Sequence, residues 1–426
     1  MSFRPDADFA VQLDHSDPLA GYRERFHIPQ HNGQDEIYLC GNSLGLQPKI
    51  AARYLQEELE DWRKLAVKAH FSGRRPWMPY HELLTDKTAH VVGAESQEVV
   101  NMNSLTVNLH LMLVSFFRPE GERNRILIER GAFPSDRYAV ESQLRFHGLD
   151  PAETLVEIGP RRHEEILRTE DIETVLAEEG HKIALVLLPG AQYRTGQVFD
   201  MARLTRTTHK AGAVAGFDLA HATGNIPLQL HDWGVDFAVW CNYKYMNGGP
   251  GAVAGCFVHQ RHLGQRDLPR FTGWWGHDKV TRFKMGLEFV PSPSVEAWQL
   301  SNPPIFAMAP VLASLQIFDA AGMPALREKS LQLTGYMAYL LQDKLRDAVE
   351  IITPLEPDAR GCQLSLRLHA GPEQARKVFA QLEQTGVTAD WREPDVIRVA
   401  PVPLYNTFAE VYRFVEILEE VLRAGS

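Results

Sequence analysis

Short and almost fully apolar runs recur along the middle of the chain and alternate with segments of helical pattern. The runs at residues 126–128, 183–188, 213–217 and 235–241 hold almost no charged side chains, and polar or glycine-containing loops follow them. Such runs are typical of buried parallel strands, because helices cover both faces of a parallel sheet. The alternation from about residue 95 to about residue 260 therefore predicts an α/β fold with a mostly parallel sheet flanked by helices.

The last 75 residues have a different pattern. Residues 361–368 (GCQLSLRL) alternate polar and apolar side chains, as a half-buried antiparallel strand does. A helix at 372–385, strands at 387–391 and 396–400 and a final helix complete a small α+β unit. We predict an N-terminal arm (1–35), a large domain (36–310) and a small C-terminal α+β domain (311–426) to which N-terminal segments contribute.

An acid and a lysine stand at the ends of two predicted strands. Asp218 follows the run at 213–217, and Lys244 follows the run at 235–241, just before a glycine-rich turn, NGGPG. Ligands bind at strand ends in doubly wound α/β folds. A lysine that can form a Schiff base and an acid that keeps a pyridine nitrogen protonated suit pyridoxal 5′-phosphate (PLP). The alternative is a solvated lysine after an ordinary strand.

Two loops offer candidate contacts for such a cofactor. Short polar residues such as Ser104 and Thr106 surround the start of an apolar helix, where they suit either helix capping or a phosphate group. Phe133 precedes Pro134, which favours an extended backbone at Phe133. An aromatic side chain held there suits stacking on a flat ring, or it is an ordinary packed phenylalanine.

Three further positions are candidates for the substrate. His70 lies in HFSGRRPW, which is typical of a solvated surface but also suits a site for an aromatic substrate. Trp274 and Trp275 are adjacent and cannot both point the same way along an extended chain, so one can face a site. Arg398 lies in a predicted strand (VIRVA), where an arginine is commonly a surface charge. A guanidinium is also the usual partner of a substrate carboxylate.

Composition narrows the class of protein. Hydrophobic residues make up 44% and charged residues 23% of the 426 residues, as in ordinary soluble globular proteins. The net charge of −10 argues against nucleic acid or an anionic membrane as partner. The four cysteines are widely spaced without a metal pattern, and reduced thiols in a cytoplasmic protein are the simplest interpretation. No secretory signal or membrane span is expected.

Taken together, the motifs resemble those of the kynureninases, PLP enzymes of fold type I in the class V aminotransferase group. The resemblance runs from about Tyr38 to the last helix. It is specific as an ordered set: LCGNSLG, GRRPW, NSLTVNLHLML, FPSD, GFDLAHATGN, HDWGVDFAVWCNYKYMNGGPG, GWWGH, LSNPP, RGCQL and RVAPVPLYN.

The resemblance implies a role for each candidate residue. Lys244 carries PLP, Asp218 pairs with the pyridine nitrogen, and His221 is close to the ring. Leu105 and Thr106 bind the phosphate, Phe133 stacks on the ring, and Tyr243 reaches the phosphate and relays protons. The remaining implied cofactor contacts are Pro134, Ser135, Asp136, Trp274 and Asn302, and the implied substrate contacts are Arg398, His70 and Asn302.

The resemblance also implies a homodimer, in which Trp274 and Asn302 come from the same or from the other subunit. One departure concerns the loop after the apolar strand at 183–188. Where the family often has a hydroxyl residue, this chain has Pro189, which offers neither a hydroxyl nor an N–H group. That contact is lost or replaced.

The activity implied is hydrolysis of a carbon–carbon bond in L-kynurenine or 3-hydroxy-L-kynurenine, in tryptophan catabolism or NAD biosynthesis. A cysteine desulfurase or selenocysteine lyase on the same fold is the nearest rival. That chemistry needs a nucleophilic cysteine on a mobile loop, and none of the four cysteines has that setting. The other alternative is a catalytically silent PLP-fold protein, against which the intact Lys244, Asp218 and Arg398 argue.

Overall fold

The main sheet is built from the apolar runs of the middle of the chain. The computed structural model describes residues 3–424. Within them the sheet has seven strands in the order β4-β10-β9-β8-β7-β5-β6, with β6, β5, β7, β8 and β9 parallel and β10 antiparallel to both of its neighbours. Its strands are β4 (Val99–Asn101), β5 (Arg125–Glu129), β6 (Leu155–Ile158), β7 (Ile183–Pro189), β8 (Val214–Asp218), β9 (Phe237–Trp240) and β10 (Gly255–Val258).

Both faces of this sheet are buried, which explains why its strands lack polar alternation. Neighbouring residues of one strand enter different apolar cores: Leu127 packs in one, whereas Ile126 and Ile128 pack in the other. Helices cover the two faces, as parallel sheets require. The helices are α1 (Ala7–Ser16), α2 (Lys49–Leu65), α3 (Glu82–Val92), α4 (Leu105–Phe116), α5 (Pro134–Phe146), α6 (Pro151–Thr154), α7 (Thr169–Glu179), α8 (Met201–Lys210), α9 (Leu230–Trp233), α10 (Ile305–Ala321), α11 (Met323–Leu345), α12 (Pro372–Gln384) and α13 (Phe408–Ala424).

The C-terminal part forms a second sheet with its own core. Its four strands are antiparallel, in the order β11-β12-β15-β14: β11 (Val349–Ile351), β12 (Leu364–Leu368), β14 (Asp390–Arg392) and β15 (Val396–Val399). Helices α11, α12 and α13 contribute to the same apolar core. The N-terminal segment joins it through Ala10, Leu13 and Leu39.

Two short pairings complete the sheets. Strand β3 (Ile37–Tyr38) lies parallel to β13 (Val387–Thr388), and β1 (Gln30–His31) pairs with β2 (Gln34–Asp35). The predicted strand at 387–391 is thus two strands in different sheets. Strand β12, predicted to be half-buried, has four of its five residues buried, because it lies in the middle of its sheet.

The architecture confirms the predicted fold class: a mostly parallel sheet flanked by helices, followed by a smaller α+β part. The bounds of the three predicted segments, 1–35, 36–310 and 311–426, stay predictions. Within residues 3–424 no single helix has the length and apolarity to cross a membrane; only α10 and α11 taken together do, and an 82° bend separates them.

Candidate active site

A cavity opens at the carboxyl edge of the main sheet. Strands β5, β7 and β8 end there in Glu129, Pro189 and Asp218, and the loop after β9 brings Lys244 to the same place. The position agrees with the rule that ligands of open α/β sheets bind at the carboxyl ends of strands. Of the residues predicted for the cofactor, the following line this cavity: Leu105, Thr106, Phe133, Ser135, Asp136, Asp218, His221, Tyr243 and Lys244.

Lys244 contacts a histidine from the loop after β8. Its Nζ lies 3.0 Å from Nε2 of His221. Burial, followed by the charge of Lys244, holds the pKa of His221 well below its usual range. A neutral imidazole can accept a hydrogen bond from the ammonium group through Nε2. Its other nitrogen, Nδ1, is buried without a hydrogen-bond partner among the described residues.

Two carboxyl groups lie close together beside the lysine. Burial, followed by the charge of Asp218, raises the pKa of Asp136 well above its usual range. Burial also raises the pKa of Asp218, while the N–H group of Ala220, which donates to Asp218 Oδ1 at 2.7 Å, acts in the opposite direction. Atom Oδ1 of Asp136 is buried without a hydrogen-bond partner within residues 3–424. A cationic ring nitrogen entering the cavity would satisfy this pair.

The starts of two helices meet at another wall of the cavity. Helix α4 begins after Ser104 and α5 begins after Phe133, and neither preceding residue makes a side-chain capping bond. The hydroxyl groups of Thr106 and Ser135 lie 2.8 Å apart, within the first turns of the two helices. Free N–H groups, two hydroxyls and the positive ends of two helix dipoles suit a phosphate group.

Phe133 is not part of any of the three apolar cores. It is 47% exposed, lines the cavity and touches the ring of Tyr193 edge-on, with centroids 5.5 Å apart. This placement leaves a ring face free for stacking. An amine, two buried carboxyl groups, an aromatic ring and two helix starts therefore surround one cavity. Atoms Oδ1 of Asp136 and Nδ1 of His221, which have no partner among the described residues, are available to a ligand. The residues present fit PLP.

Arg398 lies deeper than the sequence indicates. Its side chain is 0% exposed in β15. It forms a two-point ion pair with Asp390 of the neighbouring strand, Nε to Oδ1 at 3.1 Å and Nη2 to Oδ2 at 2.8 Å. Its Nη1 donates to the carbonyl of Tyr193 at 2.6 Å, and Tyr193 lines the cavity. Burial lowers the pKa of Arg398, and Asp390 opposes that effect. The guanidinium is thus a fixed group just behind the cavity wall.

Besides Arg398, four predicted contacts lie outside the cavity. His70 packs edge-on against Trp77, with ring centroids 5.4 Å apart. Trp274 is 42% exposed and touches Trp275. Asn302 is exposed and lines a neighbouring cavity of about 500 Å³, which also reaches Tyr243. Pro134 starts helix α5 without lining the main cavity.

Three residues that the sequence did not single out belong to the site or support it: Glu129, Gln192 and Asp390. Glu129 ends β5 as Asp218 ends β8, so the strand-end rule applied to every apolar run would have found it. Gln192 donates to Glu129 at 3.3 Å. The pairing of Asp390 with Arg398 depends on strand register, for which the sequence gives no local signal.

Comparison with known proteins gives relatives of nearly the full length. A family model described as the kynureninase C-terminal domain matches residues 326–418. The kynureninase of Xanthomonas campestris pv. campestris is 57% identical over 410 residues, 96% of this chain and 96% of its own. The kynureninase of Koribacter versatilis is 55% identical over 416 residues, 97% of each chain.

Solved structures share the fold at low identity. A C-DES mutant with glycine covalently linked to its PLP cofactor has a TM-score of 0.75 at 17% identity, covering 90% of this chain and 96% of its own. The apo cysteine desulfurase of Thermococcus onnurineus NA1 has a TM-score of 0.74 at 16% identity, covering 99% of both. These matches confirm the predicted fold of PLP enzymes of type I, and at such identities they show the fold alone.

Proposed function

The chain belongs to the kynureninase family, and from this we propose that it hydrolyses the Cβ–Cγ bond of L-kynurenine or 3-hydroxy-L-kynurenine. The products are L-alanine and anthranilate or 3-hydroxyanthranilate, so the enzyme is a hydrolase acting on carbon–carbon bonds. We place the reaction in tryptophan catabolism or NAD biosynthesis and in the cytoplasm, where four buried free thiols would stay reduced. The observation that carries the proposal is the single cavity shared by Lys244, Asp218 and the two helix starts.

We propose that the cavity binds PLP, which when bound supplies an electron sink next to the substrate amine. Lys244 holds its aldehyde carbon, and Asp218 keeps a proton on its ring nitrogen. The hydroxyls of Thr106 and Ser135 and the first N–H groups of α4 and α5 hold its phosphate. Phe133 covers one face of its ring.

Two side chains move protons in this proposal. The Nζ of Lys244 takes the proton from the substrate Cα, and neutral His221 at 3.0 Å keeps that amine oriented. Burial, followed by the nearby Cys241, raises the pKa of Tyr243 above that of an ordinary phenol. Tyr243 therefore keeps its proton at neutral pH and is our candidate for the protonation of the carbon released as alanine.

The substrate carboxylate needs a cation, and we assign Arg398 to it. Its guanidinium is held on one side by Asp390 and on the other by the carbonyl of Tyr193. Asp390 and Tyr193 leave one N–H group on each of Nη1 and Nη2 for a substrate carboxylate, and they fix the plane of the guanidinium.

We further propose that the enzyme acts as a homodimer whose second subunit completes the site. The predicted contacts Trp274, Asn302 and His70 lie outside the cavity of their own subunit. Large apolar side chains are exposed in the same parts of the chain, as expected at an interface. They include Trp62, Val67, Phe71, Phe271, Trp274, Val280, Phe283, Met285 and Leu287.

The desulfurase alternative gains no support from the site. All four cysteines, Cys40, Cys241, Cys256 and Cys362, are buried. Burial raises the pKa of each thiol, whereas a nucleophilic cysteine needs an accessible thiolate.

An absorbance titration tests the proposal. The purified protein with PLP should absorb in the visible range, consume kynurenine and release fluorescent anthranilate; Lys244→Ala should lose the visible band and the activity together. Repeating the assay with 3-hydroxykynurenine ranks the two substrates. A visible band without anthranilate would leave the cofactor assignment standing and overturn the substrate. A wild-type protein without the band would overturn both.

A further inference from the structure

Glu129 occupies a place in the cavity that the proposed function does not use. The adjacent strands β5, β7 and β8 end in Glu129, Pro189 and Asp218, so that these residues lie side by side along the carboxyl edge of the sheet. All three line the cavity. The carboxyl group of Glu129 is on a residue only 4% exposed. A buried carboxyl needs a partner, because an unpaired polar group loses its solvation on burial.

Gln192 holds this carboxyl group in one orientation. The Oε1 of Gln192 accepts hydrogen bonds from the N–H groups of Arg194 at 2.6 Å and Thr195 at 2.9 Å. Since only the oxygen of the amide can accept these bonds, its NH₂ group must point the other way, and Nε2 donates to Glu129 Oε1 at 3.3 Å. One oxygen of Glu129 is therefore fixed by the protein, and the other is left for the cavity.

Burial decides the protonation state of Glu129, and the cavity offers little positive charge to oppose it. Asp136 from α5 and Asp218 from β8 face the same cavity, and Oδ1 of Asp136 is buried and unpartnered among the described residues. Among residues 3–424, Lys244 is the one cation that lines the cavity, because His221 is held neutral and Arg398, behind the wall, is paired with Asp390. One ammonium group does not balance three buried carboxylates. Burial raises the pKa of Glu129 to about 8, with the hydrogen bond from Gln192 acting in the opposite direction, so that the carboxyl group is mostly protonated at neutral pH.

One polar group of PLP has no partner in the proposed function and could accept a hydrogen bond from a protonated carboxyl group. The phosphate has the helix starts, the ring nitrogen has Asp218, and the aldehyde carbon has Lys244. The ring hydroxyl oxygen remains, and Pro189, which lies between Glu129 and Asp218 on the sheet edge, cannot donate a hydrogen bond to it.

We propose that Glu129, positioned by Gln192, is a cofactor-binding residue whose protonated carboxyl group donates a hydrogen bond to the ring oxygen of PLP. It thereby replaces the hydroxyl side chain that Pro189 cannot supply. This inference rests on the proposed function only in taking PLP as the cofactor. It adds a binding group for the ring and explains why a third carboxyl is buried beside Asp136 and Asp218.

Cofactor affinity of the apo-protein tests the proposal without an activity assay. PLP is titrated into wild type, Glu129→Gln, Glu129→Leu and Gln192→Leu, with the dissociation constant read from the visible absorbance. Glutamine can accept from Gln192 with its oxygen and donate into the cavity with its NH₂ group, as the protonated acid does. We expect Glu129→Gln within about threefold of wild type and Glu129→Leu at least about tenfold weaker. Gln192→Leu should weaken binding by a smaller factor, because Glu129 remains but is no longer held.

Two comparisons separate binding from folding. Glu410→Gln changes another carboxyl group whose pKa burial raises, but Glu410 lies in α13, away from the cavity, and the variant should bind PLP like wild type. Apo Glu129→Leu should unfold at or above the wild-type temperature, because a buried carboxyl is replaced by an apolar group.

Equal affinity of wild type and Glu129→Leu would overturn the proposal, while the cofactor assignment would stand. Weakening by Glu129→Gln as strong as that by Glu129→Leu would also overturn it, since it would show an ionised acceptor instead of a donor. A wild-type protein that does not bind PLP would overturn the proposed function itself.

Discussion

Burial sets the protonation of the side chains around the cavity. Desolvation is the largest cause of the raised pKa values of Glu129, Asp136 and Asp218, and of the lowered pKa of His221. These shifts favour the uncharged forms of the three acids and of the imidazole, although the protein as a whole carries a net charge of −10.

The first prediction concerns the pH dependence of apo-protein stability. The pKa of Glu129 is about 8 in the folded chain against an ordinary 4.5, so the folded state binds the proton more tightly. The resulting stabilisation is fully present below about pH 4.5 and is lost as the pH rises through 8, with a slope of at most about 1.4 kcal/mol per pH unit. Urea unfolding at pH 5 to 8 should show Glu129→Gln losing less stability with rising pH than wild type. Parallel curves for the two proteins would contradict the assignment.

The second prediction concerns the partner of Arg398. Asp390→Asn keeps the size of the side chain but removes the charge that fixes the guanidinium. We expect KM for kynurenine to rise about tenfold with a smaller change in kcat, because in the proposed function the lost interaction fixes the group that binds the substrate carboxylate. Arg392→Gln is the control, since Arg392 also pairs with Asp390 but is partly exposed and lies outside the cavity lining. A fall in kcat at unchanged KM would assign Asp390 a different role.

Among the elements, those marked by continuous apolar runs could be predicted from the sequence. Strands β7, β8 and β9 could be located because their burial on both faces removes all alternation, and the meeting of Asp218 and Lys244 at one cavity could be predicted from their positions at strand ends. The burial of Arg398 could not be predicted from the sequence. It depends on Asp390, 8 residues away, and on the carbonyl of Tyr193, 205 residues away. Such pairings follow from strand register and domain packing, which leave no mark in the local pattern.

The predicted strand at 387–391 shows the same limit. Its apolar and aromatic residues are those of a strand, but Ala389 separates two strands with different partners. Residues 387 and 388 pair with 37 and 38 near the N-terminus, a contact over about 350 residues. Local propensity predicts that such residues are extended, whereas the choice of sheet is made by tertiary contacts.

The third prediction concerns the start of helix α13. Asp14 lies in α1, and its two carboxylate oxygens accept hydrogen bonds from N–H groups in the first turn of α13, those of Phe408 at 2.7 Å and Ala409 at 3.0 Å. Asp14→Ala should lower the free energy of unfolding by about 1–2 kcal/mol, because these N–H groups lose the acceptor that caps them. Urea unfolding of the holoenzyme measures the effect, and the exposed Asp8 of the same helix, changed to Ala, is the control. Equal effects of the two substitutions would mean that Asp14 does not act as a cap.

In the whole molecule, the two sheets are joined next to the cavity. Arg194 and Arg367 each form an ion pair with both Glu165 and Asp395, with N–O distances of 2.6 to 3.3 Å. Arg194 and Glu165 belong to loops beside the main sheet, whereas Arg367 lies in β12 and Asp395 in the turn between β14 and β15 of the second sheet. The neighbouring carbonyl of Arg194 accepts from the hydroxyl of Ser365 at 2.6 Å. The segment that carries Tyr193 is thus attached to both parts, which couples the position of Arg398 to the cavity of the main sheet.

The last prediction tests whether two subunits build each site. If Trp274 serves the cavity of the other subunit, a hybrid dimer of Lys244→Ala and Trp274→Ala holds one intact site and one doubly altered site. Mixing and re-assembling the two inactive variants in equal amounts should then restore about a quarter of wild-type activity, because half of the dimers are hybrids with one working site each. Lys244→Ala mixed with Asp218→Ala is the control, since both residues line the same cavity and no hybrid contains an intact one. Restored activity in the control would point to a cavity shared between subunits. Activity absent from both mixtures would assign Trp274 to its own subunit, where its side chain would have to turn inward from its 42% exposed position to reach the substrate.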